Sequence, residues 1–243
     1  DLAYEKSSCA DARYLETVRR EIVAAVCKAD ESRNAAVCGA GAGSEGSVGF
    51  NRRFRMRNGL TWTHPSRGNP DILAPAGPID PQVGVIGAWS PDGKLLGCVV
   101  SYACHATTSP PGISANWIHY MEKAICGSID PDAVVVFLQG FSGDITQVDN
   151  LSRFAERSGD ESARFVGGRI GAEAVKVLVG MARGPLGPVD YRSSVLRIPR
   201  RAPSPERVAR CLEIVKRPEA EAGHTEWTFA KEIVLLDAIL RKE

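Results

Sequence analysis

In "SYACHATTSPPG" (101–112) a lone histidine ends an apolar run, followed by three hydroxyl side chains and two prolines. The chain has four histidines, and His105 falls where a buried strand opens into a loop. A ring there is held stiffly and can face a cleft. It can ligate a metal or move a proton, or it can be a core histidine hydrogen-bonded to backbone. The neighbouring Cys104 suggests a thiol nucleophile with a histidine base. Consecutive strand residues point to opposite faces, so that pair needs a distortion and is set aside. A second strand end, "FLQGFSGDITQVDN" (137–150), places Asp144 directly after two glycines that let backbone approach closely. This Asp is a turn or cap former, a support for a metal-bound histidine, or a proton acceptor. Polar groups at both strand ends, in "CHATT" and "GDIT", point to one shared site.

Other candidates are weaker. "FNRRFRMR" (50–57) carries four arginines. It reads as a solvated charged loop, or as Arg52 and Arg53 beside a cleft, where a guanidinium fork binds a carboxylate or polarises a carbonyl. "GAGSEG" (41–46) matches G-x-G-x-x-G, but no helical stripe follows to face a pyrophosphate, so it is expected to be a loop. His64, His119 and His224 have no partner at ligand spacing, and His119 is expected to be structural or surface.

The elements that must position these groups begin with a helix from Asp11 to about Ala29, on the stripe Leu15, Val18, Ile22 and Val26. A Gly-rich, then basic, then Pro-rich passage extends to Pro81 and reads as loop. "VGVIGAW" and "LLGCVVSYAC" flank "SPDGK" and read as two neighbouring antiparallel strands, the second apolar on both faces and therefore central. "ISANWIHYMEKAI" reads as a helix, "AVVVFLQG" as a third strand, and Asp160 to Met181 as a second long helix. In the tail, "PVDYRSSVLRI" reads as a strand, a helix starts at Ser204 with Pro205 in its first turn, and a last helix surrounds "TFAKEIVLLDAIL". The expected fold is a single α/β layered domain over 1–243, a central mixed β-sheet flanked by helices, with its chemistry beyond the carboxyl ends of central strands.

Composition narrows the classes. The chain has 243 residues, 44% of them apolar, with 30 basic and 29 acidic side chains. A near-neutral balance argues against nucleic acid as partner. No run approaches the roughly 20 apolar residues of a spanning helix, and "DLAYEKSSCADARY" lacks a signal peptide's apolar centre. Seven cysteines, an odd number without a C-x-x-C pair, are expected to be mostly small buried apolar residues, a pattern that leans towards a reducing compartment. Compartment and oligomeric state are not legible.

Taken in order, "NRR" (51–53), "NPDILAPAGPIDPQVGVI" (69–86), "GCVVSYACHATT" (97–108), "ISANW" (113–117) and "VVVFLQGFSGDIT" (134–146) resemble the amino-terminal catalytic domain of the neutral/alkaline, non-lysosomal ceramidase family. The resemblance implies a zinc-dependent amidase acting on an N-acyl lipid and releasing a fatty acid and a sphingoid base. It implies His105 as a zinc ligand and Arg52, with Asn51, as contacts to the substrate's polar part. Asp144 would be a proton-handling or metal-supporting group and Thr146 a hydroxyl donor. Zinc polarises an amide carbonyl and brings bound water to a pKa of about 7.

Departures accompany the resemblance. The family's other zinc ligands, an earlier histidine and a later Glu and Tyr, have no counterpart here, so the chain is expected to be a segment of a longer protein or a degenerate relative. Thr146 and Gln147 replace a serine and a proline; the extra methyl narrows the site and loss of proline loosens the turn. Asn116 stands where many relatives have Asp. The alternatives are a catalytically silent domain that binds a lipid or acidic partner, and a metal-independent hydrolase using Cys104.

Overall fold

The Asp11 carboxylate accepts from the amides of Arg13 and Tyr14, two of the donors that a helix start leaves orphaned. The computed structural model describes residues 11–154, 157–185, 187 and 190–241. The chain divides into a unit of Asn34–Val189 and a unit of Asp1–Arg33 with Asp190–Glu243. Helix α1 (Ala12–Glu31) lies in the latter and buries none of its residues; Leu15, Ile22 and Val26 of its stripe are exposed.

The unit Asn34–Val189 holds nine strands and two helices among its described residues. They are β1 (Val37–Ser44), β2 (Phe50–Asn51), β3 (Arg53–Met56), β4 (Thr61–Thr63), β5 (Ile72–Pro75), β6 (Gln82–Trp89), β7 (Leu95–Tyr102), α2 (Trp117–Ser128), β8 (Val134–Gln139), β9 (Ile145–Thr146) and α3 (Gly159–Val179). The principal sheet has the order β1-β6-β7-β8. β7 pairs antiparallel with β6 and parallel with β8. The expected mixed sheet of an α/β layered fold is therefore present, with β7 central. Helix α2 lies between the two parallel strands in the chain.

Period-two alternation sends Val83, Val85 and Trp89 of β6, and Cys98, Val100 and Tyr102 of β7, into the core. Helical spacing brings Trp117, Met121 and Ile125 of α2, and Val166, Ile170, Ala174 and Leu178 of α3, into the same cluster. Fully burying each large apolar side chain stabilises the unit by roughly 2 kcal/mol before entropy is counted. The opposite alternation leaves Ile86, Val136 and Leu138 exposed on the other face of the sheet.

Three expectations fail in instructive ways. The Gly-rich passage expected to be a loop is β1, paired with β6 along its length. Its glycines alternate, and they serve close packing rather than flexibility. A Cβ on Gly39 would lie 2.5 Å from the Ala182 carbonyl oxygen, and one on Gly43 would overlap the Glu173 carboxylate. The basic and Pro-rich passage forms the sheet β4-β3-β5, in which Phe54 and Met56 are buried while Arg53 and Arg55 point outwards. The strand expected at "PVDYRSSVLRI" is absent from 190–198, whose residues are exposed without ladder partners, although Pro188 and Val189 lie outside the described residues.

In the other unit, α4 (Pro205–Val215) is capped by Ser204, whose hydroxyl oxygen accepts from the Arg207 amide. A short helix α5 (Glu219–Ala222) leads into α6 (His224–Leu240). Cys211, Ile214, Ala222, Trp227 and Ala230 form a small core there. The six described cysteines are free. Cys98, Cys104 and Cys211 are buried, half of the six rather than the majority expected, while Cys38 and Cys126 are half-buried and Cys27 is exposed. Among the described residues no helix is long and apolar enough to cross a membrane.

Candidate functional site

β7 ends at Tyr102, and beyond it Ala103 and Cys104 are buried and His105 is half-buried. The His105 amide donates to the Ile145 carbonyl oxygen at 3.0 Å. Its Nδ1 meets the same oxygen at 2.9 Å. A carbonyl oxygen can only accept, so Nδ1 carries the proton and Nε2 of the neutral ring keeps its lone pair. The His105 carbonyl in turn accepts from Trp117 Nε1–H at 3.0 Å. Trp117 has no exposed surface and is wedged edge-on against Phe137 and Tyr102, with centroids 5.0 and 6.3 Å away. The imidazole is thus fixed through main chain on one side and the first residue of α2 on the other.

The Asp144 turn is built onto the same place. Gly140 N–H donates to the Tyr102 carbonyl, and Gln139 Nε2 donates to the Cys104 carbonyl and to Ser142 Oγ. β9 then pairs antiparallel with β2, Ile145 opposite Asn51 and Thr146 opposite Phe50. Asn51, 4% exposed, donates from Nδ2 to Asp144 Oδ2 at 2.8 Å and to the Pro78 carbonyl at 3.3 Å. Its Oδ1 accepts from the Arg53 amide at 2.9 Å, which fixes the amide's orientation. Arg52 is half-buried. Its amide donates to the Asp144 carbonyl at 2.7 Å and its Nη2 to the Gly143 carbonyl at 2.8 Å. Thr146 is 3% exposed, and its Oγ1 accepts from the Val148 amide at 3.4 Å.

The two motifs singled out in the sequence therefore share one main-chain oxygen, that of Ile145. Asn51, Arg52, His105, Asp144 and Thr146 all converge on β9 and the turn before it. Other members were not legible as site residues. Gln147 Nε2 donates to the Thr107 carbonyl at 2.7 Å and its Oε1 accepts from Thr107 Oγ1 at 3.1 Å. This two-bond clamp ties the His105 strand end to the Asp144 turn at the position where the family has a proline. Asn116 caps α2 at φ +59°, and its Oδ1 accepts from the Trp117 amide and from the amide and hydroxyl of Thr108. Three donors hold it in a backbone region that costs most residues energy. His64 lies apart from His105's bonds, with Nδ1 against Asn150 Oδ1.

Burial separates Cys104 from any nucleophilic role. It has no exposed surface, and burial pushes its thiol up to about 12, so thiolate is absent at neutral pH. Beneath the site, Tyr102 donates its hydroxyl to the Glu45 carbonyl at 2.7 Å, and burial first of all raises its phenol. Burial alone would raise the Glu45 carboxyl as well. Hydrogen bonds from the Ser47 hydroxyl and amide, with the Arg169 guanidinium 2.8 Å away, outweigh it and hold the carboxyl below the usual range.

A cavity of about 260 Å³ lies against Asn51, walled by Gly49, Phe50, Phe54, Gly77 and Ile79. A catalytic zinc takes three protein ligands. Among the described residues no group of three or more His, Cys, Asp or Glu side chains is placed to hold a metal. His105 has one ring nitrogen outside its main-chain bond, and the described residues do not fit a complete zinc centre.

No protein-family model matches the chain, and no curated protein matches it. Among solved structures it is similar to the neutral ceramidase from Pseudomonas aeruginosa, at 23% identity and a TM-score of 0.49 over 65% of this chain and 25% of that one. It is also similar to a ceramidase complexed with C2, at 21% identity and a TM-score of 0.46 over 60% of this chain and 23% of that one. The chain thus spans about a quarter of the length of either structure.

Proposed function

We propose that this chain is a segment of a ceramidase-like catalytic domain that hydrolyses the amide bond of an N-acyl lipid. The observation that carries the reading is the bond of His105 Nδ1 to the Ile145 carbonyl. It aims Nε2 away from the main chain and ties the ring to the residue after Asp144. The order of the five motifs, from "NRR" to "VVVFLQGFSGDIT", supports the family, and the apolar cavity against Asn51 suits an aliphatic chain. In this reading His105 is one zinc ligand, and the metal's other ligands are not among the described residues.

The chain's own residues divide the remaining work. Asn51 holds one oxygen of Asp144, which leaves the other to take a proton from the attacking water. That proton passes to the nitrogen as the C–N bond breaks, so water and amide become carboxylic acid and amine. Arg52 spends one guanidinium N–H on Gly143 and turns its other donors to the substrate's polar part. Thr146 backs the turn beneath Asp144.

The test is release of fatty acid from an N-acyl sphingoid substrate by the longer protein that contains this segment, in the presence of zinc, with bound metal measured on the same sample. Asp144→Asn is expected to lower turnover about a hundredfold or more, and His105→Ala to abolish both metal retention and turnover. A folded longer protein containing this segment that retains no zinc and releases no acid overturns the proposal in favour of a silent domain binding a lipid or acidic partner.

A further inference from the structure

Two loops leave the carboxyl ends of the adjacent parallel strands β7 and β8, and each carries a large apolar side chain with no packing partner. Ile113, between His105 and α2, is 109% exposed, and Phe141, three residues before Asp144, is 98% exposed. Scattered surface apolar residues are ordinary, but these two share the sheet end that holds His105 and Asp144. Both loops are also latched at their bases. Asn116 Oδ1 binds Thr108 across the first loop, Gly140 binds the Tyr102 carbonyl at the start of the second, and Gln147 binds Thr107 between them. Latched bases hold the tips out in water.

The surroundings select the partner. No charged residue occurs in 106–118, and in the second loop Asp144 stands three residues after Phe141 with one oxygen held by Asn51, so the two apolar tips can enter an apolar medium while that carboxylate stays at the wet boundary. The tips project as knobs, and two side chains offer roughly 300–400 Å², far less than the about 800 Å² per partner of a specific protein interface. A lipid surface needs no matching pocket, only apolar tips that reach the boundary between headgroups and acyl chains.

We propose that this rim docks on a lipid surface, with Ile113 and Phe141 entering the headgroup–acyl boundary and His105 and Asp144 facing the contact. The docking does not depend on turnover, so it stands or falls separately from the hydrolytic reading.

The experiment is flotation of the full chain with phosphatidylcholine vesicles, without substrate. Ile113→Ser and Phe141→Ser are each expected to lower partitioning about tenfold and the double variant about a hundredfold, because the two sites act independently. Val136→Thr, on the exposed face of the sheet, is the control and is expected to bind like the parent. Both tips are solvent-exposed, so all variants should keep the parent circular dichroism. The inference is overturned if the parent chain does not float, if the double variant floats like the parent, or if Val136→Thr is the weaker binder. It is also overturned if binding requires phosphatidylserine and disappears in high salt, which would mark charge rather than apolar insertion. If the chain floats but the longer protein that contains it hydrolyses nothing, this inference stands and the hydrolytic reading is lost.

Discussion

Gly167 and Gly168 are neighbours in α3, and replacing each by alanine should move stability in opposite directions. Alanine in a helix interior is favoured over glycine by up to about 1 kcal/mol. Gly168 realises that gain, because a Cβ there meets nothing within 4 Å. A Cβ on Gly167 would overlap the Trp117 carbonyl oxygen and lie 2.8 Å from the Met121 amide nitrogen. Both obstacles are α2 backbone, which cannot rotate away as a side chain would. Overpacking costs about 1–3 kcal/mol, and rigid neighbours place this case at the upper end. The net expectation is about 2 kcal/mol of destabilisation for Gly167→Ala and about 1 kcal/mol of stabilisation for Gly168→Ala. In thermal unfolding followed by circular dichroism, a unit of this size should lose roughly 4–8 °C in the first variant and gain roughly 2–4 °C in the second. Pushing α2 away also lengthens the Trp117 bond to the His105 carbonyl, so the candidate site loosens with the fold. Shifts of the same sign in both variants would refute the proposed contact between α2 and α3.

Two further outcomes follow from titrating and reactive groups. Glu45 is held below its ordinary value, so its contribution to stability is complete above about pH 4.5 and is lost as pH falls through the lower folded value. Glu45→Gln should therefore unfold more easily at neutral pH and show a flatter loss of stability on acidification, read by urea titrations across pH; an unchanged acid limb would contradict the Ser47 and Arg169 contacts. Burial pushes the Cys98 thiol to about 11 and that of Cys104 to about 12, whereas Cys27 is exposed. A disulfide reagent at about pH 8 should modify Cys27 rapidly and the other two only in denaturant, with sites located by peptide mass. Rapid native modification of Cys104 would reopen a thiol mechanism.

Much of the site was legible because chemistry-bearing residues fall at strand ends. His105 follows the apolar run of β7 and Asp144 follows that of β8, and parallel neighbours in one sheet must bring such ends together. What stayed hidden was mostly main chain. The Ile145 carbonyl that orients His105 carries no residue signature, and Gln147 gave no sign of its partner Thr107. β1 was misread for a different reason: Gly and Ala alternate there with period two, but glycine carries no apolar side chain to display the period.

The amino-acid order alone determined the mixed sheet, the central place of β7, the Ser204 cap of α4 and the pairing of two motifs, because hydrophobic periodicity and turn chemistry are local properties. Only the tertiary structure decided which nitrogen of His105 is spent, which oxygen of Asp144 is held and how closely α2 approaches α3. Those depend on distances between segments tens of residues apart, set by the packing of the whole unit.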